Sequence, residues 1–593
     1  ILADEDFRLG GRLNSETFAL DDMEGGIWAE QVAAELQSLS NVRIMTRTTV
    51  YGAYDHGVFG ALERVTDHLK SSGGKPRQIL WRIYSKRSLL CAGATERPIA
   101  FSNNDRPGIM LAGAVRSYVN RFGVAPGKNV TVFTNNDDGW RTASDLIAKG
   151  VTVRALIDVR DGVSPPDLYG TEVITGGRII DTAGRKALSS ITLKNGRKIT
   201  TDCLAVSGGW NPTVHLTCHQ RGKPVWNEDI LAFVPGGVLP EGMRVAGAAD
   251  GVFGLSSALQ GAAEVTAGIL TDLGMSSKAA ALPVAEDEAQ SGIAFWHVKE
   301  SKKRAWVDFQ NDVTVKDIKL SYQEGFRSVE HLKRYSTLGM ATDQGKTSNI
   351  AGLAILAECS GKTIPETGTT IFRPPYTPVP IGALAGRARG KDFRPYRLTP
   401  SHRWAEAHGA TFVETGNWMR AQWFARAGEK GWRDSVDREV EMTRASVGIC
   451  DVTTLGKIDI QGKDAAEFLN HVYTNAFLKL PVGKVRYGLM LREDGIAYDD
   501  GTTARLGENH FVMTTTTANA VLVFRRLEFA RQCLWPNLDV HLISTTDGWA
   551  QFAVAGPNAR NLLAKVVDAP FDLSNEAFPF MACAEVSVCG GTP

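Results

Sequence analysis

Three short runs, Asn129–Thr134 (NVTVFT), Val151–Ile157 (VTVRALI) and Leu204–Gly209 (LAVSGG), each place apolar residues side by side, at Val132-Phe133, Ala155-Leu156-Ile157 and Leu204-Ala205-Val206. A strand of that kind has no solvent face, so it belongs inside a parallel sheet covered on both surfaces. A helix over Ala143–Lys149 separates the first two runs, which makes a strand–helix–strand unit. The run Ser88–Ala94 (SLLCAGA) ends in a small-residue turn, and Arg244–Gly251 (RVAGAADG) leads into a helix over Ser256–Leu270. At the start of the chain, ILADEDFRLGGRLNS reads as a strand followed by a turn at Gly10 and Gly11. In dinucleotide folds an acid ending the second strand takes the adenosine ribose hydroxyls. Asp4 stands there, with Glu5 as its substitute. Asp250 either approaches the ribose or pyrophosphate of the same ligand or caps the helix that follows. The turn TNNDDGWRT has one glycine where a phosphate cradle wants three, so a second dinucleotide site is not expected to work.

With 593 residues the chain has room for about three or four domains. Its 66 basic and 65 acidic residues leave a net charge of +1, which argues against nucleic acid or a membrane surface as the main partner. No apolar run approaches a membrane span, and the eight cysteines lack CxxC spacing, which points to a reducing, cytoplasmic setting without a cysteine-only metal site. The chain opens inside a hydrophobic strand at Ile1-Leu2-Ala3 and stops just after a strand pattern at Ala584–Val588, so a longer polypeptide is expected.

Between these halves lies Trp306–Asn349. It begins as a short strand through Val307 and Phe309, passes Asp312 as helix N-cap, and runs on as an amphipathic helix through Leu320, Tyr322 and Phe326. The loop TDQGKTSN then offers the point charge of Lys346 and the hydroxyl of Thr347, either for a phosphate or carboxylate or simply as a turn into a helix over Ile350–Cys359. Three prolines in Thr363–Thr377 stiffen a linker, and a new domain is expected after it. That domain shows a strand (Gly456–Ile460), a helix (Asp464–Val472), a β-hairpin turning at Arg492–Gly495, and a strand at His510–Thr515.

Taken together, these stretches resemble two families. The first half resembles the two-dinucleotide-binding flavoprotein disulfide reductases. More narrowly, CAGATERPIAFSNNDRPGIMLAGAV followed by NVTVFTNNDDGWRTASDL is similar to the α subunits of heterotetrameric sarcosine oxidases. The second half resembles the aminomethyltransferase (T-protein) of glycine cleavage in GICDVTTLGKIDIQGKDAAEFL, Tyr487, Asp499-Asp500 and AGPNA. The resemblance implies an α/β fold: a Rossmann-like NAD-binding domain (1–275) lacking its first strand, a connecting region (276–376), and an α+β folate-binding domain (377–593) incomplete at its C-terminus.

The resemblance further implies β, γ and δ partner subunits, FAD in β, and FMN at the α/β interface, with Lys346 and Thr347 as the residues of this chain facing it. Folate would lie on the hairpin near Tyr487, with Asp500 assisting the folate nitrogen that attacks a one-carbon unit and Asp499 as its rival. Two departures weaken the folate site: CGGTP stands where the family's later glutamate should follow Val588, and TTTTANA replaces an asparagine-bearing strand end. The implied reaction oxidises sarcosine with O2 and passes its carbon to tetrahydrofolate. The alternatives are a subunit of a dehydrogenase for another N-methyl amino acid, such as N-methylglutamate, or a non-catalytic scaffold.

Overall fold

The computed structural model describes residues 1–593 apart from 277, 279, 280, 289, 592 and 593, and it divides into two units, Ile1–Gly386 and Arg387–Pro593. The first unit is built on five parallel strands in the order Ile109–Leu111, Cys203–Ser207, Val130–Thr134, Val153–Asp158, Glu172–Ile174. Val130 and Val132 pack toward the helices Ala112–Phe122 and Asp137–Ala148, against Val115, Ala143 and Leu146. Phe133 and Val206 pack on the other face with Ile179 and Ile191, which belong to a three-stranded antiparallel sheet. Both surfaces of the sheet are therefore covered, as the unbroken apolar runs require.

The helix expected from Ala143 begins six residues earlier, at Asp137. The residues that looked like loop are its start: the Asn136 side chain accepts the Asp138 N–H, and Asp137 and Asp138 lie in a first turn that favours negative charge. Around this inserted sheet lie the parallel pairs Leu2–Ala3 with Ile44–Met45 and Ser88–Leu90 with Met243–Val245. The chain enters and leaves the insert along two antiparallel strands, Ala94–Glu96 and Trp210–Pro212.

In the connecting region Asp312 is not a cap. Val313–Thr314 pairs back on Trp306–Asp308, so Asp312 becomes a turn residue with φ of 54°. Thr314 caps the helix Val315–Gln323 instead, in a capping box with Asp317. The helix Asn349–Ser360 is buried from Ala351 to Ala357 and supplies Leu353, Ile355 and Leu356 to the local core.

The second unit centres on an antiparallel sheet in the order Lys484–Leu491, Ala497–Gly507, His510–Thr515, Gly456–Gln461, His541–Ser544. Ile458, Ile460, Met490, Phe511 and Met513 face one way and bury against Phe468 and Leu469 of the helix Ala465–Val472 and against Val523 and Leu527 of the helix Ala520–Phe529. Alternation puts the intervening residues on the opposite face. The strand expected over Ala584–Val588 does not form. That stretch makes isolated contacts instead, a bridge from Val588 to Val567 and the Asp568 N–H to the Ser587 carbonyl, while just before it Cys583 donates its N–H to the Gly483 carbonyl and Ala582 bridges to Lys484. Among the described residues no helix is long and apolar enough to cross a membrane.

Candidate functional site

The hairpin of the second unit separates its two acids. Asp500 lies opposite Leu489, and Tyr487 lies opposite Thr502, so the alternation of the two strands sets Asp500, Thr502, Tyr487 and Leu489 on one face. Tyr487 is 54% exposed there, and the Asp500 carboxylate meets no hydrogen-bond donor among the described residues. Asp499 lies opposite Met490 on the core side and is buried. It accepts from Thr516 Oγ1 at 2.6 Å, the Thr516 N–H at 3.2 Å and Asn519 Nδ2 at 3.3 Å. Asp499 therefore closes the sheet onto the next helix, whereas Asp500 keeps a carboxylate with unused acceptor capacity beside an exposed phenol. Two glycines let the strands close up: a Cβ on Gly488 would come within 2.7 Å of the Tyr473 ring, and one on Gly501 within 2.1 Å of the Thr514 carbonyl oxygen.

In the first unit the strand Leu2–Ala3 delivers Asp4 to a half-buried position, where burial raises its carboxyl above the usual range. Its Oδ1 accepts the Asp6 N–H. Glu5 is exposed, and the contact it makes is through its carbonyl, to Arg64. Gly10 (φ 118°) sits against Ala29, whereas a Cβ on Gly11 (φ 51°) would meet nothing within 4 Å. Packing thus explains Gly10, while Gly11 leaves its backbone open to an approaching ligand. Asp250 is exposed at the end of a short 3-10 turn, and Gly254, not Asp250, is the N-cap of the helix Leu255–Asp272. The acids at that helix start come from further along: Glu288 accepts the Leu255 N–H, and Asp287 accepts from the Ser257 N–H.

The second nucleotide turn is filled by the chain itself. The Asp137 carboxylate takes the Ser291 N–H and Arg160 Nη1, the Ile293 N–H bonds the Asn135 carbonyl, and Asn135 Nδ2 bonds the Ile293 carbonyl. Ser291–Ile293 thus lie as a strap across the end of Val130–Thr134, where an open parallel sheet ordinarily binds its ligand.

In the connecting region Lys346 forms no ion pair among the described residues, and its Nζ stands 5.3 Å from the centre of the Tyr376 ring. That buried ring also stacks on His215 at 4.6 Å between ring centres. Burial, with the nearby charges of His219 and Lys346, pushes His215 down to about 3, so the imidazole is neutral beside the ammonium. Thr347 is half-buried and its hydroxyl makes no hydrogen bond among the described residues, so the pair offers one cation and one hydroxyl.

Sequence reasoning missed a dense ionic cluster formed by Arg12, Glu16, Arg116, Asp138, Arg141 and Glu288. Burial works against the Asp138 charge, yet the Arg116 and Arg141 guanidinium groups outweigh it and hold the carboxyl low. The sequence signal was the acid pair in NNDDGWRT, which was read there only for its want of glycines.

Comparison with known proteins places these features. Residues 401–592 match the model of the GCVT N-terminal domain, and residues 302–387 that of the Sarcosine oxidase A3 domain. Sarcosine oxidase subunit alpha of Rhizobium meliloti (strain 1021) is 50% identical over 100% of this chain, and that of Corynebacterium sp. (strain P-1) is 42% identical over 100%. This chain resembles sarcosine oxidase subunit alpha from end to end. It spans 60% of the length of the Rhizobium sarcosine oxidase subunit and 63% of the Corynebacterium one. An aminomethyltransferase of Staphylococcus epidermidis is 30% identical over 30% of this chain and 46% of its own. The L-proline dehydrogenase of P. horikoshii shares the fold at a TM-score of 0.52 and 20% identity, over 65% of this chain and 74% of that one. The sarcosine oxidase likeness thus embraces the connecting region as well as the second unit.

Proposed function

We propose that this chain acts as the alpha-subunit part of a sarcosine oxidase complex, holding NAD in its first unit and tetrahydrofolate in its second. The single observation that carries the folate half is the Asp500 face, a carboxylate that meets no donor among the described residues, on the same side of the hairpin as the exposed Tyr487. That half is supported by the family match over 401–592, and the whole assignment by the sarcosine oxidase likeness.

In this reading partner subunits carry the flavins, FAD and an FMN that meets Lys346 and Thr347, and a flavin supplies the two-electron oxidation of the N-methyl amine. Lys346 fits the task of facing an anionic group, since no carboxylate pairs with it among the described residues. Sarcosine, O2 and tetrahydrofolate give glycine, hydrogen peroxide and 5,10-methylenetetrahydrofolate. The work of this chain begins with the one-carbon unit. A folate amine attacking it must lose a proton and passes through a cation, and Asp500 is placed to accept the first and stabilise the second. Tyr487 supplies an aromatic surface beside the pterin. Enclosing the transfer keeps a reactive carbon fragment from hydration.

For the first unit, Asp4 is offered to the adenosine ribose and Gly11 to close backbone approach, with Asp250 nearer the pyrophosphate. In the assembled complex Asp500→Ala abolishes folate-dependent trapping of the carbon while amine oxidation and peroxide release stay near wild type. Equal loss of both activities would refute the division of labour.

A further inference from the structure

The strapped second crevice holds a charge with no counterpart. The Ser291–Ile293 strap forms one wall of a cavity of about 70 Å³, whose other walls include Arg97, Gly209, Asp137, Asp138 and Asp229. A water takes up about 10–15 Å³ of such space, so there is room for a few heavy atoms and none for a nucleotide. Two of the three acids are already neutralised, Asp137 by Arg160, and Asp138 by Arg116 and Arg141. Asp229 is exposed and pairs with no cation among the described residues.

Arg97 is 2% exposed and forms no ion pair among the described residues. Its Nε donates to the Gly208 carbonyl at 2.7 Å, and its Nη1 to Asn211 Oδ1 at 2.7 Å and to the Trp210 carbonyl at 3.3 Å. All three acceptors are neutral. The guanidinium also lies 4.8 Å from the centre of the Trp296 ring. Its Nη2 donates to nothing among the described residues, and it stands beside Gly209, where a Cβ would come within 2.5 Å of it. Both residues line the cavity, so the bare glycine leaves Nη2 uncovered there. Burial pushes the guanidinium down to about 9 with no carboxylate to offset it, and it stays charged at neutral pH. A buried charge without a counterion is costly, and the space beside it is where a counterion belongs.

We propose that this cavity binds a small monocarboxylate, one oxygen of which accepts from Arg97 Nη2. A single uncompensated cation suits a monoanion and would leave a phosphate dianion short of charge. Asp137 and Asp138 do not oppose the ligand, since their charges are spent on arginines. Asp229 supplies a partner for an ammonium group, should the carboxylate belong to an amino acid. The inference stands apart from the NAD and folate readings, because neither the Asp4 position nor the Asp500 face contributes to this cavity.

Crystals of the assembled complex are soaked in sodium bromide, whose anomalous scattering reports bound anions, and then back-soaked with acetate or with glycine. In the wild type, bromide should give an anomalous peak beside Arg97 Nη2, and Arg97→Met should lose it. Displacement of the peak by acetate marks a simple carboxylate site, and displacement by glycine alone marks a zwitterion held also through Asp229. No peak in the wild type, a peak that persists in Arg97→Met, or bromide that neither acetate nor glycine displaces overturns the proposal. Should Arg97→Met not assemble, the wild-type soak and the two displacements decide the matter.

Discussion

Replacing the two hairpin acids one at a time should separate stability from transfer. Asp499 is buried and accepts from Thr516 Oγ1, the Thr516 N–H and Asn519 Nδ2. Orphaning buried or half-buried donors costs about 1–3 kcal/mol, so Asp499→Ala should destabilise the second unit by that amount. A domain of this size shifts by about 2–4 °C per kcal/mol, which gives a midpoint lower by about 2–12 °C in differential scanning calorimetry of the complex. Asp500 meets no donor among the described residues, so Asp500→Ala should stay within about 0.5 kcal/mol of wild type. Its loss should appear in the chemistry: a positioned base contributes about 10²–10⁴-fold, read as 5,10-methylenetetrahydrofolate formed per sarcosine consumed. The reasoning fails if Asp499→Ala abolishes transfer at unchanged stability, or if Asp500→Ala melts the unit.

Three further outcomes follow from the geometry. His215 is held near 3 in the fold against about 6.5 unfolded, so its contribution is complete above pH 6.5 and is lost as pH falls toward 3. At pH 5 the loss is about 2 kcal/mol, and His215→Phe, which keeps the stack on Tyr376, should flatten the pH dependence of the melting midpoint between pH 7 and 5; an unchanged slope contradicts it. Arg116→Met leaves Glu16 to Arg12 and Asp138 to Arg141 but removes one buried cation from a balanced cluster, and should cost about 3–5 kcal/mol, seen as early urea unfolding followed by tryptophan fluorescence. Gly488→Ala drives a methyl against Tyr473 and should cost about 1–3 kcal/mol, whereas Gly495→Ala, where nothing lies within 4 Å, should show only the smaller strain of its φ of 80°; equal midpoints for the two variants would argue against the close packing.

The parallel sheet was legible because NVTVFT and LAVSGG carry their burial on successive residues, and the hairpin because Asp494-Gly495 turns between two extended runs. Which hairpin acid faces outward was not legible. Asp499 and Asp500 are adjacent and identical, and only the pairing of Asp499 with Met490 fixes their sides. Asp312 was misread because a cap and a tight turn draw on the same residue types, and the short pairing of Val313–Thr314 decided between them. Nor could spacing reveal the cluster around Arg116: its members come from positions 12 to 288 and meet only through tertiary folding.

The strap at Ser291–Ile293 sets a limit on redesign. Restoring a glycine-rich turn at Asn135–Gly139 would remove the side chains that hold Ser291 and Arg160, but the Asn135 carbonyl would still receive the Ile293 N–H, and the crevice mouth would stay covered. Glycines alone would not revive a second nucleotide site. Evolution or an engineer would first have to reroute the chain that leaves Glu288 bound to Arg12 and Leu255, because the lock on one Rossmann half is fastened in the other.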